Sequence, residues 1–535
     1  MSRLFLFLIL ISALGAQEKR GLSSLEKDIR FLGSDSLRGR ATGSPGLKKA
    51  AAYIAARFRE AGLLKMGNNN SYLQSVPLHG QTILPSTMLT LSSPGNGMHL
   101  KYGRDFLLIR TGELSLLTRP TPMVFAGYGI NAPEYEYNDY RNINAAGKVV
   151  VALEGEPFSP ADSSYFAGAL PSVYSSPESK LRLALANGAF GMIIIPGSAW
   201  NWTRLKREYS FEDVSLPGAV SSTTGLFVTD SVSRLLFSGE KEAYAELLAK
   251  AGNNLLSAFD LKKTISLHST VQRREFISQN VAGLLPGGDE ELKDSYVLVS
   301  AHYDHLGIGP AVEGDSIYNG VSDNAVGSAV VLELARRFSR LDYRPRRSIL
   351  FLLLTGEEKG LLGSRYYTKH PLVPLYKTVA AFNVDGLAAM GDFQDIYAIG
   401  AGQSQLKTLI RDVAAENGFR LAPLRYRRQL WELFARSDQI SFARGGIPST
   451  IIIEALTYKD IPLDQVLQRL DHWYQKRYHT PFDDLEQPLD PGSLERYVSL
   501  LFHIVNRVAN MSAAPQWNAG APYLNRRLQT RAEKR

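Results

Sequence analysis

The chain of 535 residues contains no cysteine. It therefore has no disulfide bonds, and it offers no cysteine to which a lipid anchor could be attached after export. An exported protein that is stabilised without disulfides fits a bacterial periplasm or the external medium better than a eukaryotic secretory lumen.

Two other patterns are missing. No run of basic residues is interleaved with aromatic residues, so we expect no nucleic-acid partner although the formal net charge is +8. No segment beyond the amino terminus is apolar over the roughly 20 residues that a membrane-spanning helix needs, so we expect no stable membrane insertion. The composition, with 44% hydrophobic and 21% charged residues, is that of a globular protein, and the length predicts at least two domains.

Residues 1–16 have the pattern of a Sec-type export signal. Arg3 gives a positive start, an apolar run extends from Leu4 to Ile11, and small residues lead to a cleavage site near Ala16. The run is too short to span a bilayer, and a short membrane anchor is the alternative. We predict a secreted or periplasmic bacterial protein.

The remaining chain divides by composition. Residues 86–259 are rich in Gly, Pro and Tyr and contain short apolar runs, which predict an inserted β-rich domain. Residues 17–85 and 260–512 flank this insert, and we expect them to form one domain with an α/β fold, a mixed β-sheet covered by helices. Residues 513–535 are polar and basic, and we predict a frayed, solvated tail.

Three nearly unbroken apolar runs in the second flank are typical of strands buried on both faces. They are Tyr296–Ala301, Ser348–Leu354 and Thr378–Val384. Each leads into residues that can bind metals, and because ligand sites of α/β sheets lie at the carboxyl ends of strands, we expect these residues to converge. They are His302, Glu357 with Glu358, and Asp385.

Asp323, at the start of a predicted helix, and His479, in a turn, can join this cluster. Each residue alone has an ordinary structural explanation, such as an acidic helix start. Together, carboxylates concentrated at strand ends repel one another unless a cation neutralises them. Two imidazoles and three carboxylates suit zinc, and five ligands suffice for two zinc ions if one carboxylate bridges them.

These residues lie in segments that resemble the di-zinc exopeptidases of metallopeptidase family 28 (clan MH), which include bacterial aminopeptidases and glutamate carboxypeptidases. The insert, with FAGYGINAPEY at 125–135, looks like a protease-associated (PA) domain, and SDSLRGRATGSPG at 34–46 looks like the start of the catalytic domain. The matching segments follow in the family's order: SAHYDHLG (300–307), NGVSDNAVG (319–327), TGEEKGLLGSR (355–365), FNVDG (382–386), RSDQISFARGGIP (436–448) and YHTPFDD (478–484).

The resemblance implies a ligand role for each of five residues. His302 and Asp385 would bind one zinc ion, Glu358 and His479 would bind the other, and Asp323 would bridge both. The expected cofactor is therefore Zn²⁺, with two ions per chain.

Three further roles follow from the same resemblance. Glu357 would be the general base, Tyr478 would hydrogen-bond the developing oxyanion, and Asp304 would orient His302 through its other ring nitrogen. His305, in the same segment as His302, has no role that the resemblance assigns.

We expect an aminopeptidase that acts on peptides. The alternatives are a carboxypeptidase or dipeptidase with the same site chemistry, a non-catalytic receptor-like relative, and a one-zinc glutaminyl cyclase. A carboxypeptidase needs fixed cations, for which Arg425, Arg427 and Arg428 are the candidates. Gln439 stands where the family often has His, a difference that concerns substrate contacts and not the metals. The role of the insert and the oligomeric state stay open.

Overall fold

The computed structural model describes residues 23–93, 95–109, 117–157, 165–167, 172–197, 202–218, 224–423 and 433–534. The predicted export signal at 1–16 and the arginine cluster at 425–428 lie outside these residues. The helices are α1 (Ser24–Leu32), α2 (Pro45–Glu60), α3 (Pro177–Ala186), α4 (Trp202–Glu208), α5 (Asp230–Phe237), α6 (Tyr244–Ala251), α7 (Val326–Ser339), α8 (Leu362–Lys369), α9 (Leu406–Glu416), α10 (Gln439–Arg444), α11 (Leu463–Lys476), α12 (Pro491–Asn510) and α13 (Leu524–Glu533).

The strands are numbered in the same way. They are β1 (Leu64–Lys65), β2 (Leu73–Ile83), β3 (Met88–Ser93), β4 (Asn96–Lys101), β5 (Phe106–Ile109), β6 (Thr121–Phe125), β7 (Asn131–Ala132), β8 (Tyr137–Asn138), β9 (Val149–Leu153), β10 (Gly191–Ile195), β11 (Asp213–Ser215), β12 (Thr224–Val228), β13 (Phe259–His268), β14 (Val271–Leu285), β15 (Tyr296–His302), β16 (Gly307–Val312), β17 (Asp315–Tyr318), β18 (Ser348–Leu354), β19 (Thr378–Asn383), β20 (Asp395–Ile399), β21 (Arg420–Leu421) and β22 (Ser449–Glu454).

The larger sheet has the strand order β11-β2-β14-β18-β15-β19-β22-β20-β21, with β1 paired to β14. Its central strands β18, β15, β19 and β22 are parallel. β2 and β14 pair antiparallel to their neighbours, and β20 is antiparallel to β22 but parallel to β21. This sheet is the predicted mixed sheet. The chain places β18 on one side of β15 and β19 on the other, so a crevice opens beyond the carboxyl end of β15.

Helices cover both faces of the larger sheet, which explains why its central strands are apolar throughout. Along β18, Phe351 packs into the core that includes α1, α2, α7 and α12, and its neighbour Leu352 packs towards α8 and α10. Helix α2 begins as predicted, because the Ser44 hydroxyl accepts a hydrogen bond from the backbone N–H of Leu47 at 3.1 Å. Its apolar stripe, which includes Ile54, is buried against this sheet.

A second sheet is built from the insert, in the order β4-β3-β13-β6-β9-β10-β12-β5. Strands β6, β9, β10 and β12 are parallel. The predicted short strands are confirmed, but the unit also carries helices α3 to α6, so it is an α/β unit. The predicted boundary at residue 260 is too early: β13 pairs with β3 and β6, which extends the insert's sheet to His268.

The prediction of a frayed tail over 513–535 is wrong for the described residues up to 534. The indole N–H of Trp517 donates to the carbonyl of Gly446 at 2.9 Å, and the guanidinium of Arg527 on α13 donates to the carbonyl of Leu375 at 2.8 Å. Both side chains are buried. The segment is basic, but Arg527 satisfies a buried carbonyl and Trp517 packs into a hydrophobic cluster, so the segment folds onto the larger domain.

Within the described residues, none of the helices is both long and apolar enough to cross a membrane.

Candidate metal centre

Three strand ends meet at one edge of the larger sheet. β15 ends at His302, β18 ends shortly before Glu357, and β19 ends shortly before Asp385. These strands are adjacent and parallel, in the order β18-β15-β19. The predicted convergence of the three segments is therefore what the fold produces.

The first group of possible ligands surrounds His302, whose imidazole is fully buried. Its Nε2 lies 3.2 Å from Oδ1 of Asp323 and 3.3 Å from Oδ1 of Asp385. Asp323 comes from the turn that precedes α7. The backbone of His302 is held as well, because its carbonyl oxygen accepts a hydrogen bond from the hydroxyl of Ser328 at 2.8 Å.

The second group surrounds His479. Its Nε2 lies 3.5 Å from Oδ2 of Asp323 and 3.3 Å from Oε2 of Glu358. His479 has φ 54°, a left-handed backbone conformation that is uncommon outside glycine. The two carboxylate oxygens of Asp323 thus face two different histidines, and all five predicted ligands lie in one connected cluster.

The spacing of these atoms fits tetrahedral zinc. With zinc–nitrogen and zinc–oxygen bonds of about 2.0–2.1 Å, two ligands of one tetrahedral ion lie about 3.3 Å apart. The four distances above are 3.2 to 3.5 Å. Nε2 of His479 is buried and has no hydrogen-bond partner among the described residues, so the two carboxylates beside it are spaced as ligands of a shared metal and not as hydrogen-bond acceptors.

The charges of the cluster are strongly coupled. Burial lowers the pKa of His479, but Glu358 and Asp323 outweigh burial and raise it to about 10. Burial alone would raise the pKa of Glu358, but His479 and His305 hold it well below its usual range. Without a metal the imidazoles therefore hold protons against these carboxylates, and a bound cation would displace those protons.

The sequence pattern of peptidase family M28 matches residues 280–505, which include all five residues of the cluster. These residues form a peptidase family M28 domain.

Among curated proteins, the chain is 27% identical over 242 residues to Aminopeptidase NAALADL1 of Mus musculus, covering 43% of this chain and 30% of the mouse protein. It is 33% identical over 106 residues to the Vacuolar membrane protease of Phaeosphaeria nodorum, covering 20% of this chain and 10% of that protein. The chain thus spans less than a third of the length of these relatives.

Among solved structures, an aminopeptidase from Aneurinibacillus sp. strain AM-1 superposes with a TM-score of 0.54 at 20% identity. The superposition covers 92% of this chain and 94% of that one. The shared fold therefore includes both the M28 domain and most of the remaining chain.

Two of the predicted catalytic residues of the M28 domain, Glu357 and Tyr478, line the cleft beside the ligand cluster. The backbone N–H of Glu357 donates to Oδ1 of Asp304 at 3.2 Å. Burial raises the pKa of Glu357 well above its usual range, and the nearby Asp385 adds to the increase although His302 opposes it. Glu357 is thus close to the ligands and is more basic than an ordinary glutamate.

Asp304 lies behind this cluster, but its carboxylate is not the nearest group to His302. Nδ1 of His302 is 3.2 Å from the main-chain carbonyl oxygen of Asp304 and 3.9 Å from its Oδ1. The carboxylate instead accepts the Glu357 N–H and, at 2.9 Å, the hydroxyl of Thr42. Asp304 therefore connects three segments, and the contact that orients His302 is made by its backbone.

Arg40 also lies behind the ligand cluster, and the sequence did not reveal its role. Its guanidinium is fully buried and donates to the carbonyls of Tyr303 at 2.8 Å, Asn319 at 2.6 Å and Gly320 at 2.9 Å, and to that of Leu32. It therefore connects the segment after His302 with the turn before Asp323. The segment SLRGRATGSPG indicated the start of the catalytic domain, but nothing in it distinguished the buried Arg40 from the exposed Arg38.

Asp483 supports the bridging residue from the other side. Its two carboxylate oxygens accept the backbone N–H groups of Ser322 at 2.9 Å and Asp323 at 3.0 Å. A third contact, at 2.6 Å, comes from the side-chain amide of Gln487. Asp483 belongs to the YHTPFDD segment, so the motif located the residue but did not show that its carboxylate fixes the Asp323 turn.

Gln439 does not contact the cleft, contrary to the expectation that it concerns the substrate. It is fully buried, its Oε1 accepts from the amide of Asn383 at 3.0 Å, and its Nε2 donates to the carbonyl of Phe434 at 2.9 Å. Gln439 therefore connects the end of β19 to the segment before α10, and a different residue type at this position would change this internal contact.

A cleft of about 3040 Å³ opens over the ligand cluster. Its walls come from the M28 domain, including helix α11, and from the insert, including the start of α3. Glu178 and Arg207 of the insert line it together with Tyr478 and Arg436 of the M28 domain. A substrate bound over the cluster would thus meet both units.

Proposed function

We propose that this protein is a secreted di-zinc aminopeptidase that hydrolyses the bond after the amino-terminal residue of a peptide. The observation that carries this proposal is the position of Asp323, whose Oδ1 and Oδ2 face His302 and His479 at 3.2 and 3.5 Å. One carboxylate between two imidazoles, each with a further carboxylate, is the arrangement that a bridged pair of zinc ions requires.

Zinc ions held by His302 with Asp385, by His479 with Glu358, and by the bridging Asp323 would supply Lewis acidity to a peptide carbonyl and to water. The donor atoms are imidazole nitrogens and carboxylate oxygens, which is the set that zinc prefers in a catalytic site.

Glu357 transfers the proton, and Tyr478 donates a hydrogen bond to the oxyanion. The Glu357 carboxylate accepts a proton from the attacking water and passes it to the amine that leaves. Burial raises the pKa of Glu357, and a higher proton affinity suits a carboxylate that takes a proton from water. The Tyr478 hydroxyl, at the cleft wall, donates to the oxyanion that forms on the substrate carbonyl.

A relative with similar sequence supports cleavage at the amino end. The Mus musculus protein that is 27% identical over 242 residues is named an aminopeptidase. A carboxypeptidase is the second candidate, because Arg436 lines the same cleft and a fixed guanidinium suits a substrate carboxylate.

A matched pair of peptides tests the direction of cleavage. One peptide has a free amino terminus, and the other has the same sequence with an acetylated amino terminus. The free peptide should lose residues stepwise from its amino end, and the acetylated one should resist. Hydrolysis of the acetylated peptide from its carboxyl end would establish the carboxypeptidase instead. A third peptide that begins with glutamine separates hydrolysis from cyclisation with loss of ammonia.

The export step is a separate part of the proposal. The apolar run from Leu4 to Ile11 and the small residues up to Ala16 would direct secretion and be removed. Expression of the full chain in a bacterium, followed by amino-terminal sequencing of the protein in the periplasm and medium, tests it. A protein retained in the cell with Met1 intact would contradict export.

The insert is proposed to be a PA-like domain that forms one wall of the substrate cleft. Glu178 and Arg207 line that cleft opposite the M28 domain, which supports a role in limiting or guiding longer substrates. A series of peptides of increasing length tests it, since a wall of this kind should make the rate of hydrolysis depend on length, and a flat dependence would contradict it.

A further inference from the structure

His305 is a buried imidazole beside the ligand cluster for which neither the resemblance nor the proposed mechanism gives a role. Its side chain has no exposed surface. Nδ1 lies 2.7 Å from Oε1 of Glu358. Nε2 is buried and has no hydrogen-bond partner among the described residues. A buried imidazole that makes one short contact, directed at a metal-ligand carboxylate, calls for a specific explanation.

His305, Asp323 and Glu358 offer ligand atoms that lie within 4.8 Å of one another, so these three residues could also hold a metal ion. The length of the contact between His305 and Glu358 distinguishes a hydrogen bond from shared metal binding. Two ligands of one tetrahedral zinc lie about 3.3 Å apart. The contacts of His302 and His479 with their carboxylates are 3.2 to 3.5 Å and match that spacing. The contact of His305 with Glu358, at 2.7 Å, is instead the length of a charge-assisted hydrogen bond.

The two oxygens of Glu358 therefore have different partners. Oε1 accepts from His305, and Oε2 lies 3.3 Å from Nε2 of His479. A carboxylate that rotates freely could offer either oxygen, or both, to a metal. With Oε1 occupied, only Oε2 faces the position between Glu358, His479 and Asp323.

The surroundings hold the His305 ring in place. Its backbone N–H donates to the carbonyl of Arg40 at 3.2 Å. Its ring meets the ring of His479 edge-on, with centroids 5.7 Å apart. On another side lies Gly320, where an added Cβ would be 2.3 Å from Cγ of His305. The backbone contact, the neighbouring ring and the close glycine restrict the movement of the imidazole, whose Nδ1 is directed at Glu358.

We propose that His305 is a positioning residue that donates from Nδ1 to Oε1 of Glu358 and so selects Oε2 as the oxygen that binds the second zinc ion. This inference rests on the di-zinc centre of the proposed function. His305 does not bind the metal, and it acts through Glu358.

The test compares two substitutions with different hydrogen-bonding capacity. His305→Asn keeps an N–H donor near the position of Nδ1, whereas His305→Leu has a similar volume and no donor. Each purified protein is stripped of metal and titrated with zinc against a chromophoric chelator. His503→Asn, at an exposed position on α12, is the matched control.

The wild-type protein and His503→Asn should bind two zinc ions. His305→Leu should bind the second ion about 10- to 100-fold more weakly, as is usual when a group that orients a ligand is lost, and it should bind the first ion unchanged. His305→Asn should restore most of the second affinity. Unchanged affinity in His305→Leu would overturn this inference alone. Wild-type protein that binds fewer than two zinc ions would overturn the proposed function and this inference with it.

A second measurement needs no variant and so does not depend on whether His305→Leu folds. In a crystal structure of the zinc-loaded wild-type protein, Nδ1 of His305 should stay within hydrogen-bond distance of Oε1 of Glu358, with zinc on Oε2. Zinc within about 2.1 Å of a His305 nitrogen would show that the residue is a ligand and would overturn the proposal. If His305→Asn bound the second zinc ion as weakly as His305→Leu does, a hydrogen-bond donor at this position would not be sufficient, and the proposal would be overturned as well.

Discussion

Nε2 of His302 lies 3.2 Å from Oδ1 of Asp323, which leaves the second oxygen of that carboxylate directed at the other half of the cluster. Asp323 is thus the one side chain that contacts both histidines of the cluster among the described residues. The bridging role that we propose for it depends on both oxygens carrying negative charge.

The first prediction concerns this bridge. Asp323→Asn replaces one carboxylate oxygen by an amide nitrogen that cannot bind zinc. It also removes the negative charge that reduces the repulsion between the two zinc ions. We expect the zinc content to fall from two ions per chain towards one, with loss of peptidase activity. Elemental analysis of the purified variant measures this. Asp315→Asn, at the exposed first residue of β17, is the control and should keep both ions.

The second prediction separates a base from a ligand at adjacent positions. Glu357→Gln should retain zinc and lose at least about 10²-fold in kcat, the scale of a missing general base. Glu358→Gln should weaken the binding of one zinc ion, because Oε2 of Glu358 faces His479. The measurements are kcat and zinc content for both variants. Equal loss of zinc in the two would mean that the roles are assigned wrongly.

The third prediction concerns Tyr478. Tyr478→Phe removes the hydroxyl proposed to donate to the oxyanion and keeps the ring that stacks on His479, with centroids 3.9 Å apart. Loss of one such donor should lower kcat by about 10²-fold and leave KM nearly unchanged. Steady-state kinetics on an amino-acyl amide gives both constants. A normal kcat would show that the metals stabilise the oxyanion without this hydroxyl.

The fourth prediction concerns Arg40. Arg40→Met leaves four buried carbonyl groups without their donor, and an unsatisfied buried group costs about 1–3 kcal/mol. We expect a loss of stability on the order of 3 kcal/mol after relaxation, together with weaker zinc binding, because Arg40 connects the segments that carry His302 and Asp323. Thermal unfolding and zinc titration test this. Arg38→Met, at an exposed neighbouring position, should leave both properties unchanged.

The fifth prediction is a pH dependence in the insert. Lys180 is fully buried, donates to the carbonyls of Tyr128 and Gly155, and has its pKa lowered by burial from 10.5 to about 7. Between these two values the unfolded chain binds more protons than the folded one, so the burial of Lys180 destabilises the fold less as the pH rises.

The stability of the wild-type protein relative to Lys180→Met should therefore increase from pH 7 towards pH 10, by at most about 1.4 kcal/mol per pH unit. Melting temperatures of both proteins across this range measure the difference. For Lys206→Met, at an exposed position on α4, the difference in melting temperature from the wild-type protein should not vary with pH. A constant difference for Lys180→Met would mean that the lysine keeps its ordinary pKa.

The sequence alone determined the α/β fold of the M28 domain and the five candidate ligands. Strands buried on both faces are apolar over their whole length, so the polar residues that follow them, such as His302 and Asp385, are conspicuous. Parallel strands also bring their carboxyl ends to one edge, which made the convergence of distant segments predictable. The local motif around Glu357 and Glu358 was visible for the same reason.

Only the tertiary structure decided which residues hold these ligands. Arg40 and His305 act through contacts with segments far along the chain, and no periodicity or spacing marks such contacts in advance. The same holds for the folded carboxyl-terminal segment, where Arg527 and Trp517 looked like parts of a solvated tail. Their hydrogen bonds to the carbonyls of Leu375 and Gly446 exist only after the chain has packed, because a buried carbonyl becomes a strong partner once water has been excluded from it.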